Sequence, residues 1–137
     1  MSFLIDTCVL SELLKPRPSH QVSEWFLATP QTAMFVSVLT LGEIRKGAMR
    51  LGAGRRRARL IAWLETDLLA WVGDRILPVD ADVADTWGRL MARNRNIPAI
   101  DSLISATALH HRLTVVTRNK SDFVATGVEL LNPWKPS

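Results

Sequence analysis

The chain has 137 residues, 47% of them hydrophobic and 22% charged, with a formal net charge of +4. That is the length of one ordinary domain, with enough apolar side chains to bury a core and a composition close to globular averages. The single cysteine, Cys8, excludes an internal disulfide and fits a reducing cytoplasm, and no stretch approaches the ~20 consecutive apolar residues that would span a bilayer.

In chain order the pattern alternates between strand and helix. The opening Met1-Ser2-Phe3-Leu4-Ile5-Asp6 lacks the basic leader of a signal peptide, and an acid interrupts the apolar run at once. The run Phe3-Leu4-Ile5 predicts a first strand. A short helix carrying Leu10, Leu13 and Leu14 follows, ended by Pro16 and Pro18. A helix from about Gln21 to Leu27 is capped by Ser19, with Trp25 and Phe26 facing inward. Strand two covers Ala33 to Val38, and a helix runs from about Thr40 to Leu51. Gly52-Ala53-Gly54 breaks the chain before a long helix from Arg55 to Val72, with Ile61, Leu64, Leu68, Trp71 and Val72 at helical spacing. A short strand, Ile76 to Val79, precedes a helix capped by Asp82. A helix from about Asp101 to His110 leads into strand Thr114 to Thr117, and a last strand covers Val128 to Leu131. There are no repeats, linkers or low-complexity tracts. The expectation is a single α/β domain over residues 1–137, with a mostly parallel central sheet flanked by helices on both faces.

Four acids stand where a parallel sheet would present them. Asp6 ends the first strand, Glu43 follows the second, Asp101 lies in Pro98-Ala99-Ile100-Asp101-Ser102, and Asp122 comes five residues after Thr117. The carboxyl ends of parallel strands share one edge, and ligands bind there, so acids distant in sequence can converge. A cluster of carboxylates repels itself unless a hard cation neutralises it. Each acid also has a local structural role open to it. Thr40-x-x-Glu43 has the form of a capping box, and Asp6, Asp101 and Asp122 have the form of N-caps. Caps are usually solvated, however, whereas Asp6 and Asp101 sit among strongly apolar neighbours, where an unpaired carboxylate is costly.

Basic residues are concentrated. Between Glu43 and Glu65 there is no acid, but there are Arg45, Lys46, Arg50, Arg55, Arg56, Arg57 and Arg59, seven of the seventeen basic residues. With the four clustered acids neutralised by a metal, nine acids would remain against seventeen bases, a surface suited to a polyanion such as nucleic acid. A solvated, arginine-rich helix start is the plainer alternative for this cluster. Other charged residues point elsewhere. Asp82 and Asp85 suit a helix start, Asp80 ends a short strand, and His110 and His111 complement a helix carboxyl end. No Cys or third ligand is spaced for a zinc site. The tryptophans occupy core-like positions apart from Trp134, although Trp25 or Trp63 could line a partner groove.

Four blocks, in order along the chain, carry a family resemblance. They are Ile5-Asp6-Thr7-Cys8-Val9-Leu10-Ser11-Glu12-Leu13, Ser37-Val38-Leu39-Thr40-Leu41-Gly42-Glu43-Ile44, Ile97 through Ala108 around Asp101, and Thr117-Arg118-Asn119-Lys120-Ser121-Asp122-Phe123. Together they resemble PIN-domain proteins, specifically the VapC-like and FitB-like toxins of bacterial toxin–antitoxin pairs. The resemblance implies a three-layer PIN-like fold and a metal-dependent ribonuclease. Asp6, Glu43, Asp101 and Asp122 would hold Mg²⁺ (Mn²⁺ as a substitute), and Thr117 and Asn119 would be supporting groups. It also implies products with a 5′-phosphate and a 3′-hydroxyl, a homodimer, a cytoplasmic location, and a small DNA-binding antitoxin. Single-stranded or loop RNA is the expected substrate, since RNA sequence is read where bases are unstacked. Arg55, Arg56, Arg57 and Arg59 are expected to bind that RNA.

Mg²⁺ takes oxygen ligands and keeps several waters, which suits an acid-only donor set. Asp6 would be the central ligand with Asp101 beside it. Glu43 would ligate or hold a metal water, and Asp122 would serve a second ion or orient the attacking water. An antitoxin tail could insert an Arg or Lys among the acids in competition with metal, its apolar part lying near Leu13, Trp25 and Leu51. A haloacid-dehalogenase-type phosphotransferase needs a second aspartate at the position of Cys8, and a response-regulator receiver needs paired acids after the first strand. A catalytically silent PIN-like domain that binds RNA or protein is the remaining alternative, and the intact acids argue against it.

Overall fold

The computed structural model describes residues 1–94 and 96–135. Five short strands form one parallel sheet: β1 (Phe3–Ile5), β2 (Met34–Ser37), β3 (Ile76–Leu77), β4 (Thr114–Val116) and β5 (Leu130–Leu131). Their order across the sheet is β3-β2-β1-β4-β5. The chain therefore winds outward from β1 to β3, then returns to the other side of β1 for β4 and β5. The reversal lies between β1 and β4, where such a sheet opens a crevice at its carboxyl edge.

Burial on both faces explains the strands. Phe3, Ile5, Met34, Val36 and Val116 pack into one core layer with Val9, Leu10, Val22, Ile44, Leu64 and Leu68. Leu4 and Val115 point the other way, against Ile104, Ala108 and Phe123. The alternation along Phe3-Leu4-Ile5 is the period of two expected of a strand, and both faces are apolar because helices cover both. The first layer holds α1 (Thr7–Leu13), α2 (His20–Ala28), α3 (Val38–Arg50) and a rod from Arg55 to Val72. Phe3 meets Trp25 edge to face at 5.2 Å between ring centroids, which orients α2 on β1. The second layer holds α6 (Ala81–Arg93) and α7 (Ala99–His111), with α8 (Lys120–Phe123) beside them.

The predicted long helix is one continuous rod with an unexpected middle. It comprises α4 (Arg55–Ala62), a π-helical stretch Trp63–Leu68 and α5 (Leu69–Val72), and Gly73 ends it at φ 54°. Glycine tolerates that left-handed backbone without the Cβ penalty.

Several local expectations need correction. Ser37, not Thr40, caps α3: its hydroxyl accepts from Leu39 N at 3.1 Å, Thr40 is buried inside the helix, and no capping box with Glu43 forms. Asp80, not Asp82, caps α6, accepting from Val83 N at 2.9 Å, so Asp80 has a structural role and Asp82 lies in the first turn. Pro98 precedes α7, which places Asp101 inside its first turn rather than at the cap, and Asn119 precedes α8, which places Asp122 within that helix. Asp6 does cap α1, and Ser19 does cap α2. The last strand is confined to Leu130–Leu131.

Candidate active site

The carboxyl edge of the sheet builds a site around Asp6. This residue continues the β1 ladder through Asp6 N to Val116 O at 3.0 Å, and it is 7% exposed. A buried carboxylate needs donors, and each of its oxygens has one. Thr7 N donates to Oδ1 at 2.9 Å, and Thr117 Oγ1 donates to Oδ2 at 2.8 Å. Thr117 leaves β4 at the adjacent position, and its hydroxyl in turn accepts from Asn119 N at 3.0 Å. Asn119 therefore supports the site through its backbone, and its side chain is at the exposed surface.

Glu43 lies in the second turn of α3, which starts directly at the end of β2. Its Oε1 accepts from Thr7 Oγ1 at 3.0 Å. Asp101 reaches the same edge from the other layer. A crossover helix runs antiparallel to the strand it feeds, so the first turn of α7 lies at the carboxyl end of β4. Trp87 Nε1 donates to Ser102 Oγ at 2.9 Å and ties α6 to that first turn. Asp122 is exposed on α8.

The fold places the four acids within electrostatic reach of one another. Burial pushes the Asp101 carboxyl up to about 6, and the negative charges of Asp6, Asp122 and Glu43 push in the same direction. Each of the three thus lies close enough to Asp101 to disfavour its ionised form. Among the described residues, no three His, Cys, Asp or Glu side chains are gathered tightly enough to enclose one ion. An open, all-oxygen set that repels itself fits a hydrated hard cation such as Mg²⁺ or Mn²⁺, which takes one or two carboxylates and keeps its waters. It does not fit a closed zinc centre.

Sequence reasoning missed three residues here. Thr7, which holds Glu43, is the first. Cys8 is the second: its Sγ lies 3.7 Å from Asp6 Oδ2 and 3.5 Å from Thr117 Oγ1, and accepts from Arg118 N at 3.5 Å. Burial, and then Asp6, raise the Cys8 thiol above its ordinary range, so it stays protonated. Trp87 is the third. The spacing of apolar residues could not reveal any of them, because each acts across elements.

The arginine cluster lies on α4. Arg56 and Arg59, with Leu14, Lys15, Leu60 and Trp63, line a cavity of about 580 Å³ between α4 and the end of α1. None of the four acids lines this cavity. Arg57 contacts Met49 Sδ at 3.4 Å, and Arg55 is exposed. Leu13 and Trp25 pack against the core instead of lining the cavity, and Leu51 is half-buried. No helix is long and apolar enough to cross a membrane among the described residues.

Comparison with known proteins agrees with this architecture. The PIN domain model matches residues 3–128. The chain is 36% identical over 138 residues to the VapC ribonuclease Y4jK of Sinorhizobium fredii, covering 98% of this chain and 99% of the relative. It is also 36% identical over 135 residues to the toxin FitB of Neisseria gonorrhoeae, covering 96% and 97% respectively. Among solved structures, FitAB bound to a DNA fragment superposes with a TM-score of 0.91 at 33% identity, covering 98% of this chain and 97% of that one. FitAcB from Neisseria gonorrhoeae gives 0.90 at 35%, covering 96% and 98%. The chain belongs to the PIN-domain family, among its VapC and FitB relatives.

Proposed function

We propose that this chain is a metal-dependent endoribonuclease, the toxin of a toxin–antitoxin pair, acting as a single domain in the cytoplasm. One observation carries the reading: Thr7 joins the buried Asp6 to Glu43 by hydrogen bonds at the carboxyl edge of the sheet, where the first turn of α7 also brings Asp101. Four acids so placed are unstable together without a cation, and relatives of this chain are named ribonucleases.

In this reading Asp6 and Asp101 hold Mg²⁺ or Mn²⁺, with Glu43 and Asp122 as further ligands or holders of water. When bound, the cation acidifies water and offsets charge on the phosphoryl oxygens. The chain's own residues supply the rest. Thr117 and the backbone of Thr7 fix the two oxygens of Asp6, so its orientation is set before substrate arrives. Thr117 is in turn held by the amide of Asn119. Arg55, Arg56, Arg57 and Arg59 add attraction for the RNA backbone.

The FitAB and FitAcB structures suggest a cognate antitoxin here too. We place the apolar part of its tail in the cavity lined by Leu14, Leu60 and Trp63, and a homodimer as the working unit. The test is cleavage of total RNA with Mg²⁺, Mn²⁺ or EDTA, comparing wild type with Asp6→Ala. Metal-dependent cleavage lost in the variant supports the reading. RNA bound but never cut, with any metal, would leave a silent binding domain.

A further inference from the structure

We propose that Thr7 is a positioning residue for the acidic site, its hydroxyl holding the Glu43 carboxylate in the orientation that serves the divalent cation. This rests on the reading of Glu43 as part of the metal site.

Thr7 is the first residue of α1 and joins two acids that come from different elements. Its backbone N–H donates to Asp6 Oδ1 at 2.9 Å, and its Oγ1 donates to Glu43 Oε1 at 3.0 Å, 36 residues further along the chain. The helix position matters. Inside a helix a threonine hydroxyl tends to bond back to the carbonyl four residues earlier. Thr107 does so here, to Leu103 O at 2.8 Å. At the first helical position the residue four back, Phe3, belongs to β1 and not to a helical turn, and the hydroxyl of Thr7 instead reaches across to α3.

The consequence for Glu43 is geometric. Among the described residues it forms no ion pair, and the hydroxyl occupies one oxygen, leaving Oε2 for another partner. A hydroxyl donor to a carboxylate is charge-assisted, and at 3.0 Å this bond has an ordinary length and restricts the rotamers open to the acid. Partners of this kind orient metal-binding carboxylates and typically change metal affinity or activity by 10–100-fold when removed. Thr7 and Thr117 would then do the same for two different acids, from opposite sides of Asp6.

The test is Mn²⁺ binding, followed by electron paramagnetic resonance of the free ion, on full-length wild type, Thr7→Val, Thr7→Ser, Glu43→Gln and the Thr7→Val/Glu43→Gln pair. Thermal unfolding without metal is measured alongside. Thr7→Val should weaken Mn²⁺ binding about tenfold, and Thr7→Ser should return it to within about threefold of wild type. The double variant should be no worse than Glu43→Gln alone, because both remove one interaction. Wild-type affinity in Thr7→Val beside a weakened Glu43→Gln overturns the role of Thr7 and leaves Glu43 in the site. Wild-type affinity in Glu43→Gln overturns the reading of Glu43 and this inference with it. Thr7→Ser as weak as Thr7→Val, or a Thr7→Val that fails to fold while Thr7→Ser binds poorly, assigns the effect to packing of the methyl group and also overturns it.

Discussion

Thr117 Oγ1 donates to Asp6 Oδ2 at 2.8 Å, joining residues 111 positions apart across the switch point of the sheet. The bond is buried, and it links the ends of β1 and β4, the two strands between which the chain reverses direction. With Thr7 N on the other oxygen, this hydroxyl helps satisfy an acid that the fold has drawn out of water.

Thr117→Val keeps the shape and removes that donor. It leaves Oδ2 of Asp6 with only the weak Cys8 thiol as a donor, so unfolding free energy should fall by about 1–3 kcal/mol. RNA cleavage should fall about 10–100-fold as the acid loses its orientation. Denaturant unfolding and single-turnover cleavage check the two effects separately. Wild-type values in both would remove Thr117 from the supporting role.

The acidic site should impose its own pH dependence on the metal-free protein. Asp101 titrates at about 6 in the folded chain, against about 4 for an unfolded aspartate. The folded chain therefore binds this proton more tightly, so its contribution to stability is complete below about pH 4 and is lost as pH rises through about 6. Asp101→Asn removes the dependence. The stability of the variant relative to wild type should thus increase between pH 4 and pH 7, read by denaturant unfolding in EDTA. A difference that does not change with pH would show that neither burial nor the other acids raise Asp101 in the folded chain.

The sequence was most informative where a side chain's role depends on its own element. The alternation in Phe3-Leu4-Ile5, the break at Gly52-Ala53-Gly54 and the cap at Ser19 could all be read locally, and they appear as expected. Asp6 stands at the end of β1 as its sequence context suggests, whereas Glu43, Asp101 and Asp122 lie within α3, α7 and α8. Caps were harder. Thr40 and Asp82 both match a capping pattern, yet Ser37 and Asp80 lie closer to the strand ends and win the position, since a helix begins where the sheet lets go of the chain. Contacts between elements left no local signal. Thr7 with Glu43, Cys8 with Thr117, and Trp87 with Ser102 all depend on the packed fold. The π-helical stretch from Trp63 to Leu68 has the same apolar spacing as an ordinary helix and so left no signal in the sequence.

The arginines of α4 should contribute to RNA binding through charge alone. Replacing Arg55, Arg56, Arg57 and Arg59 with glutamine should flatten the dependence of log affinity on log salt by roughly 0.7–0.9 for each phosphate that is no longer neutralised. Fluorescence anisotropy with a labelled single strand at several salt concentrations measures it. An unchanged slope together with weaker antitoxin binding would assign Arg56 and Arg59 to the protein partner, whose cavity they line.

The partner should silence the site by supplying a cation to it. A guanidinium bridging two carboxylates excludes a metal from the same oxygens. The antitoxin's carboxyl-terminal tail, added as a peptide, should therefore inhibit RNA cleavage and lower Mn²⁺ affinity together. Replacing the peptide's basic residue should relieve both. Inhibition with Mn²⁺ affinity unchanged would point to blocked RNA access instead.

The central claim is that Asp6, Glu43, Asp101 and Asp122 form one cation site that cuts RNA, and the most direct measurement is cleavage by Asp6→Asn and Asp101→Asn in saturating Mg²⁺, with stability recorded on the same samples. Asparagine keeps the shape and removes the charge. Both variants should lose metal-dependent cleavage, and Asp101→Asn should be as stable as wild type or more so, because repulsion among the acids is relieved. Undiminished cleavage by either variant would contradict the account.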